Sequence, residues 1–172
     1  MKKTVLFILA VCLLCGFCAC ASKKIDENAS PKNILNAALT VLGMNDRGLI
    51  YLSETDNDFE MLDDGLLSGK YGELLDAPTV SQMEKYALFF AYDSYGTEIG
   101  IFCMKTPEYA DAMKTFVENR KQRLLDNAVN YPDLDTTIVS SLVVKVDGVW
   151  VYYIMSDGND IAIPEIEKLL YK

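Results

Sequence analysis

The sequence predicts an α+β fold: a mainly antiparallel four-stranded sheet from two hairpins, with helices packed on it in the order α-β-β-α-β-β-α. Three observations carry this expectation. Two aromatic and β-branched runs, KYALFFAYD (85–93) and TEIGIFCMK (97–105), flank Ser94-Tyr95-Gly96 and read as a hairpin. Two more, SSLVVKV (140–146) and VWVYYIM (149–155), flank Asp147-Gly148. Asp-Gly between such runs is a strong hairpin signal, because a type I′ turn needs positive φ at both central residues. Segments of helical periodicity precede, separate and follow the hairpins, so no parallel nucleotide-binding arrangement is expected.

The chain opens with a segment that is not part of this body. Lys2 and Lys3 form a short basic region, and Thr4 to Ala21 is apolar, small or cysteine throughout, the layout of a bacterial secretory signal. Four cysteines fall at 12, 15, 18 and 20, but they lie in a continuous apolar run. Thiolates that hold zinc or iron–sulfur clusters converge from turns, so a metal centre is not expected, and Cys103 alone cannot complete a disulfide framework. Cys20 differs from the others because small Ala19 precedes it, whereas bulky Val11, Leu14 and Phe17 precede Cys12, Cys15 and Cys18. The segment Phe17-Cys18-Ala19-Cys20 resembles a lipobox, which implies cleavage after residue 19 and lipidation of Cys20. Each buried CH₂ contributes about 0.8 kcal/mol, so two or three acyl chains of the palmitate kind hold a domain stably. The alternative is an uncleaved anchor helix, since the run approaches the ~17 residues of the shortest spans. Either way the body is expected on the extracytoplasmic face of the cell membrane.

Residues 20–30 (CASKKIDENAS) are polar and aperiodic after the cysteine and read as a tether, leaving 31–172 as one globular domain. Ser30-Pro31 supplies an N-cap and a proline at the first helical position. Ile34, Leu35, Ala38, Leu39 and Leu42 follow at helical spacing, and Gly43 stops the run. Residues 45–81 are less legible and combine a short strand at Leu49–Leu52 with one or two helical turns. After the first hairpin, Thr106-Pro107 opens the longest helix, with Tyr109, Met113, Phe116, Val117, Arg120 and Leu124 on one stripe and an end expected near Tyr131-Pro132. In the second hairpin a two-residue turn would pair Val146 with Val149, Val144 with Val151 and Leu142 with Tyr153 on one face. Val143, Lys145, Trp150 and Tyr152 then share the other. A last helix is expected from Asp160 to Tyr171, with Pro164 in its first turn.

Charge narrows the function classes. The formal charge is −9, and removal of residues 1–19 takes away two lysines and no acids, which brings it to −11. A chain this acidic repels phosphate backbones, so no nucleic acid partner is expected. The sequence contains no histidine, which removes Ser–His and Cys–His nucleophile activation and imidazole metal sites. It has no P-loop, G-x-S-x-G or G-x-G-x-x-G.

YALFFAYDSYGTEIGIFCMKTPEYADAMKTFVENRKQRLLDNAVNYPD, followed by VVKVDGVWVYYIMSD, resembles the bacterial lipoprotein family called domain of unknown function 4358. The shared features are a second strand like Glu98-Ile99-Gly100-Ile101-Phe102, a long helix with a central Arg120, a run ending in Tyr-Pro and a late hairpin ending in Ser-Asp. The resemblance spans about residues 34–170, most closely 84–157. It implies a lipid-anchored extracytoplasmic domain and supplies no activity or functional residues.

Four features merit a functional reading beside a plainer one. Asp56-x-Asp58-x-Glu60, with Asp63 and Asp64, begins like a calcium loop, but the pattern then requires Gly at 61 and Glu at 67, where Met61 and Leu67 stand. A solvated acidic loop is the plainer reading. Arg120, Lys121 and Arg123 form an anion patch or an exposed helix face, with Arg120 paired to Glu98. Cys103 reads as a small buried hydrophobe. Lys145, Trp150 and Tyr152 form an interaction surface if no helix covers their side of the sheet. The leading expectation is a non-catalytic binding or interaction domain with no cofactor and no metal, whose partner is an envelope protein or small ligand. A small carboxylate-based cell-envelope hydrolase and a structural envelope component are the alternatives.

Overall fold

The computed structural model describes residues 23–55, 57 and 61–172. Both predicted hairpins form, as β2 (Met83–Ala91) with β3 (Glu98–Met104) and as β4 (Val143–Asp147) with β5 (Trp150–Met155). They join through β3 and β5, and every pairing is antiparallel. The sheet has five strands where four were expected: β1 (Gly48–Leu52) adds along β2, giving the order β1-β2-β3-β5-β4. The short strand expected at Leu49–Leu52 does form, but GLIYL is too short and too partly buried to show by alternation that it joins this sheet. A ladder to the apolar β2, formed only in the folded chain, holds it.

Helices cover both faces. On one face, α2 (Asp64–Tyr71), α3 (Pro107–Ala128) and the single turn α4 (Thr137–Ser140) pack Leu67, Tyr71, Met113, Phe116, Val117, Leu124 and Val139 against Leu88, Phe90, Phe102, Val151 and Tyr153. On the other, α1 (Pro31–Leu42) and α5 (Asn159–Leu170) pack Ile34, Leu35, Leu39 and Ile166 against Phe89, Ile99, Ile101, Tyr152 and Ile154. Alternate residues of β2, β3 and β5 thus enter different cores. This explains why these strands read as nearly continuous apolar runs.

Local chemistry sets the helix limits. The Ser30 hydroxyl accepts the Asn33 N–H at 3.4 Å, and the Thr106 hydroxyl accepts that of Tyr109 at 3.4 Å. Helix α3 ends at Ala128, short of the expected Tyr131-Pro132; a turn follows in which the Tyr131 N–H donates to the Ala128 carbonyl at 2.8 Å. Pro132 disfavours helical geometry in the residue before it, and the last turn yields.

The second hairpin is shifted from its expected register. Asp147 pairs with Trp150 and Val146 with Val151, so Gly148-Val149 makes the turn. Gly148 has φ +58°, and no other residue type takes a positive φ among the described residues. This is a type II′ pattern, with glycine first, instead of the expected type I′. A shift of two positions leaves every strand side chain on its expected face, because side chains alternate with period two.

The segment from Lys23 to Ser30 departs from the tether expected across residues 20–30. Ile25 bridges Tyr171, the Asp26 N–H donates to the Leu170 carbonyl at 2.9 Å, and the Lys172 N–H donates to the Lys24 carbonyl at 2.8 Å. Lys172 and Asp26 pair at 2.6 Å. An apolar Ile25 packed on the second core and two backbone hydrogen bonds hold the segment down. Cys20 lies outside the described residues.

Candidate functional site

The most polar interior feature joins β3, β5, α2 and α3. Glu98 opens β3 facing the first core, and Arg120 reaches it from the middle of α3; their side chains are 4% and 13% exposed. Arg120 Nε donates to both Glu98 oxygens at 3.1 and 3.2 Å, Nη2 closes a further bond to Oε1, and Nη1 donates to the Lys70 carbonyl at 2.9 Å. The Tyr153 hydroxyl lies 3.5 Å from Glu98 Oε2 and 2.6 Å from the Tyr71 hydroxyl. Burial pushes both phenols well above their ordinary range, with nearby acidic groups reinforcing it. Burial opposes the Arg120 charge, but the hydrogen bonds it donates to Glu98 and the negative charge of that carboxylate more than offset it and keep the guanidinium protonated. The cluster is therefore a satisfied ion pair capped by two buried phenols.

This pair forms the floor of a hollow of about 400 Å³, bounded by Lys70, Phe90, the Tyr92–Thr97 connection and Leu124. At its rim the Asp93 carboxylate accepts from Arg47 Nε at 3.0 Å, a contact that holds its carboxyl below the usual range. The Lys70 ammonium stands 4.8 Å from the Phe90 ring centre, an arrangement of the cation–π kind. A second hollow of about 560 Å³ shares the wall of Tyr95 and Leu124 and adds Asn127, Asn130, Tyr131 and Leu134. The Tyr95 hydroxyl donates to the Leu124 carbonyl at 2.6 Å, tying the β2–β3 connection to α3 between the two spaces.

Residues singled out in the sequence are dispersed. Trp150 and Tyr152 are 8% and 2% exposed, so the expected interaction surface is corrected: α1 and α5 cover it. The Tyr152 hydroxyl and Lys145 both bond Glu167 on α5, and Lys145 remains at the edge. The anion patch is corrected as well. Arg120 turns inward to Glu98, Lys121 donates to the Ser140 carbonyl at 3.3 Å, and Arg123 faces α2, with Nη1 3.5 Å from the Ser68 carbonyl. Three neighbours on a helix point in three directions. The Arg120–Glu98 pairing itself stands as expected. Cys103 is half-buried beside the second core, and burial raises its thiol.

Of the acidic stretch, Asp63 caps α2 by accepting the Leu66 N–H at 2.6 Å, and Asp64 accepts the Val80 N–H at 2.6 Å. Asp56, Asp58 and Glu60 lie outside the described residues. The sequence reading missed Lys70, Tyr71 and Tyr95. The first two fall in the least periodic part of the chain, and Tyr95 reads simply as a turn residue.

What these elements define is an α+β protein whose fully antiparallel sheet is enclosed between helices, with a cleft at one end of the strands. No family model, no curated protein and no solved structure matches the chain.

Proposed function

We propose that this chain is a lipid-anchored, extracytoplasmic binding domain without catalytic activity, of the kind implied by the resemblance to the domain of unknown function 4358 family. The observation that carries the reading is the separation of its two ends. Strand β3 runs from Glu98, beside Met155, to Met104, just past Cys103, which lies beside Trp150. The cleft lies at the Glu98 end. Lys23, the first described residue, lies at the other end with Lys145, Asp147 and Tyr171. Seven residues of strand, roughly 20 Å, separate them. An anchor at Cys20 would hold one end near the membrane and turn the cleft outward.

The chemistry of the cleft favours binding over hydrolysis. A carboxylate hydrolase needs one acid held protonated near neutral pH. Here Asp93 and Glu98 each face an arginine, and Asp93 is held low.

Two measurements test the reading. Mass analysis of the mature N-terminus should find Cys20 acylated; an intact Met1 or an unlipidated Cys20 overturns the lipid anchor. A photo-crosslinking residue at Tyr92, on the cleft rim, should capture a reproducible envelope partner in cells, while one at Ile161 on α5 should not. Equal or absent capture at both positions overturns the binding role.

A further inference from the structure

The ion pairs around the cleft leave one charge over. Glu98 and Arg120 neutralise each other, and Arg47 neutralises Asp93. Lys70 has no carboxylate partner among the described residues; its ammonium meets only the Phe90 ring, at 4.8 Å. In a chain of formal charge −9, such a lysine reverses the local sign at the hollow. Beyond the Tyr95–Leu124 wall, the second hollow is chiefly apolar and aromatic, yet Tyr131 on its rim is 65% exposed. A concave apolar surface beside a few convergent polar groups is the usual form of a small-molecule site.

We infer that the two hollows together take a small amphipathic carboxylate, its head on Lys70 and its aromatic or acyl body against Tyr95, Leu124 and Tyr131. A singly charged head fits better than a phosphate. Only one ammonium is uncompensated, because the arginines of the hollow are already paired with Glu98 and Asp93, so a second negative charge on the head would meet no cation. The Asn127 and Asn130 amides beside the trough offer hydrogen bonds to a polar substituent on the body. This inference rests on the reading of the chain as a binding domain and names its ligand class.

The test uses the full chain in vesicles of zwitterionic lipid. N-acetyl-L-tryptophan carries an aromatic body and a carboxylate; N-acetyl-L-tryptophanamide keeps the body and lacks the charge. Titration calorimetry should show the acid binding about tenfold more tightly than the amide. Lys70→Met should erase that ratio, and Lys121→Met, which removes a charge outside the cleft, should leave it intact. Tyr131→Ser should weaken both probes alike and preserve the ratio. Equal binding of acid and amide, no binding of either, or an unchanged ratio in Lys70→Met each overturns the inference. Because photo-crosslinking at Tyr92 does not depend on the probe, capture of a partner alongside any of these results would reject the ligand class while the binding role stands.

Discussion

At the residue scale, the Glu98–Arg120 pair makes the sharpest demand on the sequence. A buried ion pair contributes little net stability while intact, but removing one partner strands a charge and costs about 3–5 kcal/mol. Arg120→Met and Glu98→Leu should each destabilise strongly in urea melts, whereas the double variant combining them should recover part of the loss. Strictly additive losses would sink the idea that the two act as one unit. A second pair makes a pH-dependent prediction. Hydrogen bonding from Lys145 chiefly, with burial opposing and Lys23 and Tyr152 assisting, brings the Glu167 carboxyl from 4.5 down to about 2. A depressed folded-state value means that its contribution is complete above the ordinary value and is lost as pH falls through the lowered one. Acid melts of Lys145→Met should therefore differ from those of the unaltered protein most above pH 4.5 and converge towards pH 2. Carboxyl chemical shifts should place the Glu167 titration higher in the variant. An unmoved titration would remove Lys145 as the cause.

At the element scale, the centre of β3 shows how one small residue organises a face. Gly100 pairs with Tyr153, and a Cβ on Gly100 would meet the Tyr153 ring at 2.2 Å. The glycine lets that ring lie across the strand, where it stacks with Phe102 and sends its hydroxyl to Tyr71. Gly100→Ala should cost about 1–3 kcal/mol, the usual penalty for overpacking a core. It should also disturb the near-ultraviolet dichroism of the tyrosines; a neutral melt with unchanged dichroism would show that the close approach is dispensable. Elements of this kind also mark the limit of sequence legibility. The hairpins, α1, α3 and α5 were readable because each carries its own period, cap or turn signal. Strand β1 and helix α2 were legible only as a short strand at Leu49–Leu52 and one or two helical turns, without a place in the fold: GLIYL is half-exposed, and DGLLSGKY carries two glycines. Their positions are fixed by partners distant in sequence, by β2 for one and by Asn119, Arg120 and Arg123 on α3 for the other. The cleft inherits that obscurity, since Lys70 comes from α2 and the other walls from β2, β3 and α3. The pairing of Arg120 with Glu98 was legible, but the direction of Lys121 and Arg123 was not, because helical neighbours diverge by about 100° per residue.

At the scale of the whole molecule, the docking of residues 23–30 changes what an anchor at Cys20 implies. A free tether of ten residues would let the body tumble within a reach of roughly 15–20 Å. With the chain pinned from Lys24 by Tyr171 and Lys172, only three residues lie between Cys20 and the folded body, a span of at most about 14 Å. Such a short connection would fix which end meets the bilayer in a protein anchored at Cys20. The protein's one tryptophan, Trp150, pairs with Asp147 at the end where Lys23 lies, while Tyr92 sits on the cleft rim at the far end. In vesicles carrying a dansyl-labelled headgroup, energy transfer from Trp150 should therefore be strong. The double variant Trp150→Phe with Tyr92→Trp moves the donor about the length of a strand from the surface, roughly 20 Å, and transfer falls steeply with distance. Its transfer should be several-fold weaker. Inserting ten Gly-Ser residues after Ser22 should bring the two donors closer together in efficiency by freeing the body to reorient. Equal transfer from both positions without the insertion would mean that the body lies on its side, and the outward-facing cleft would have to be abandoned.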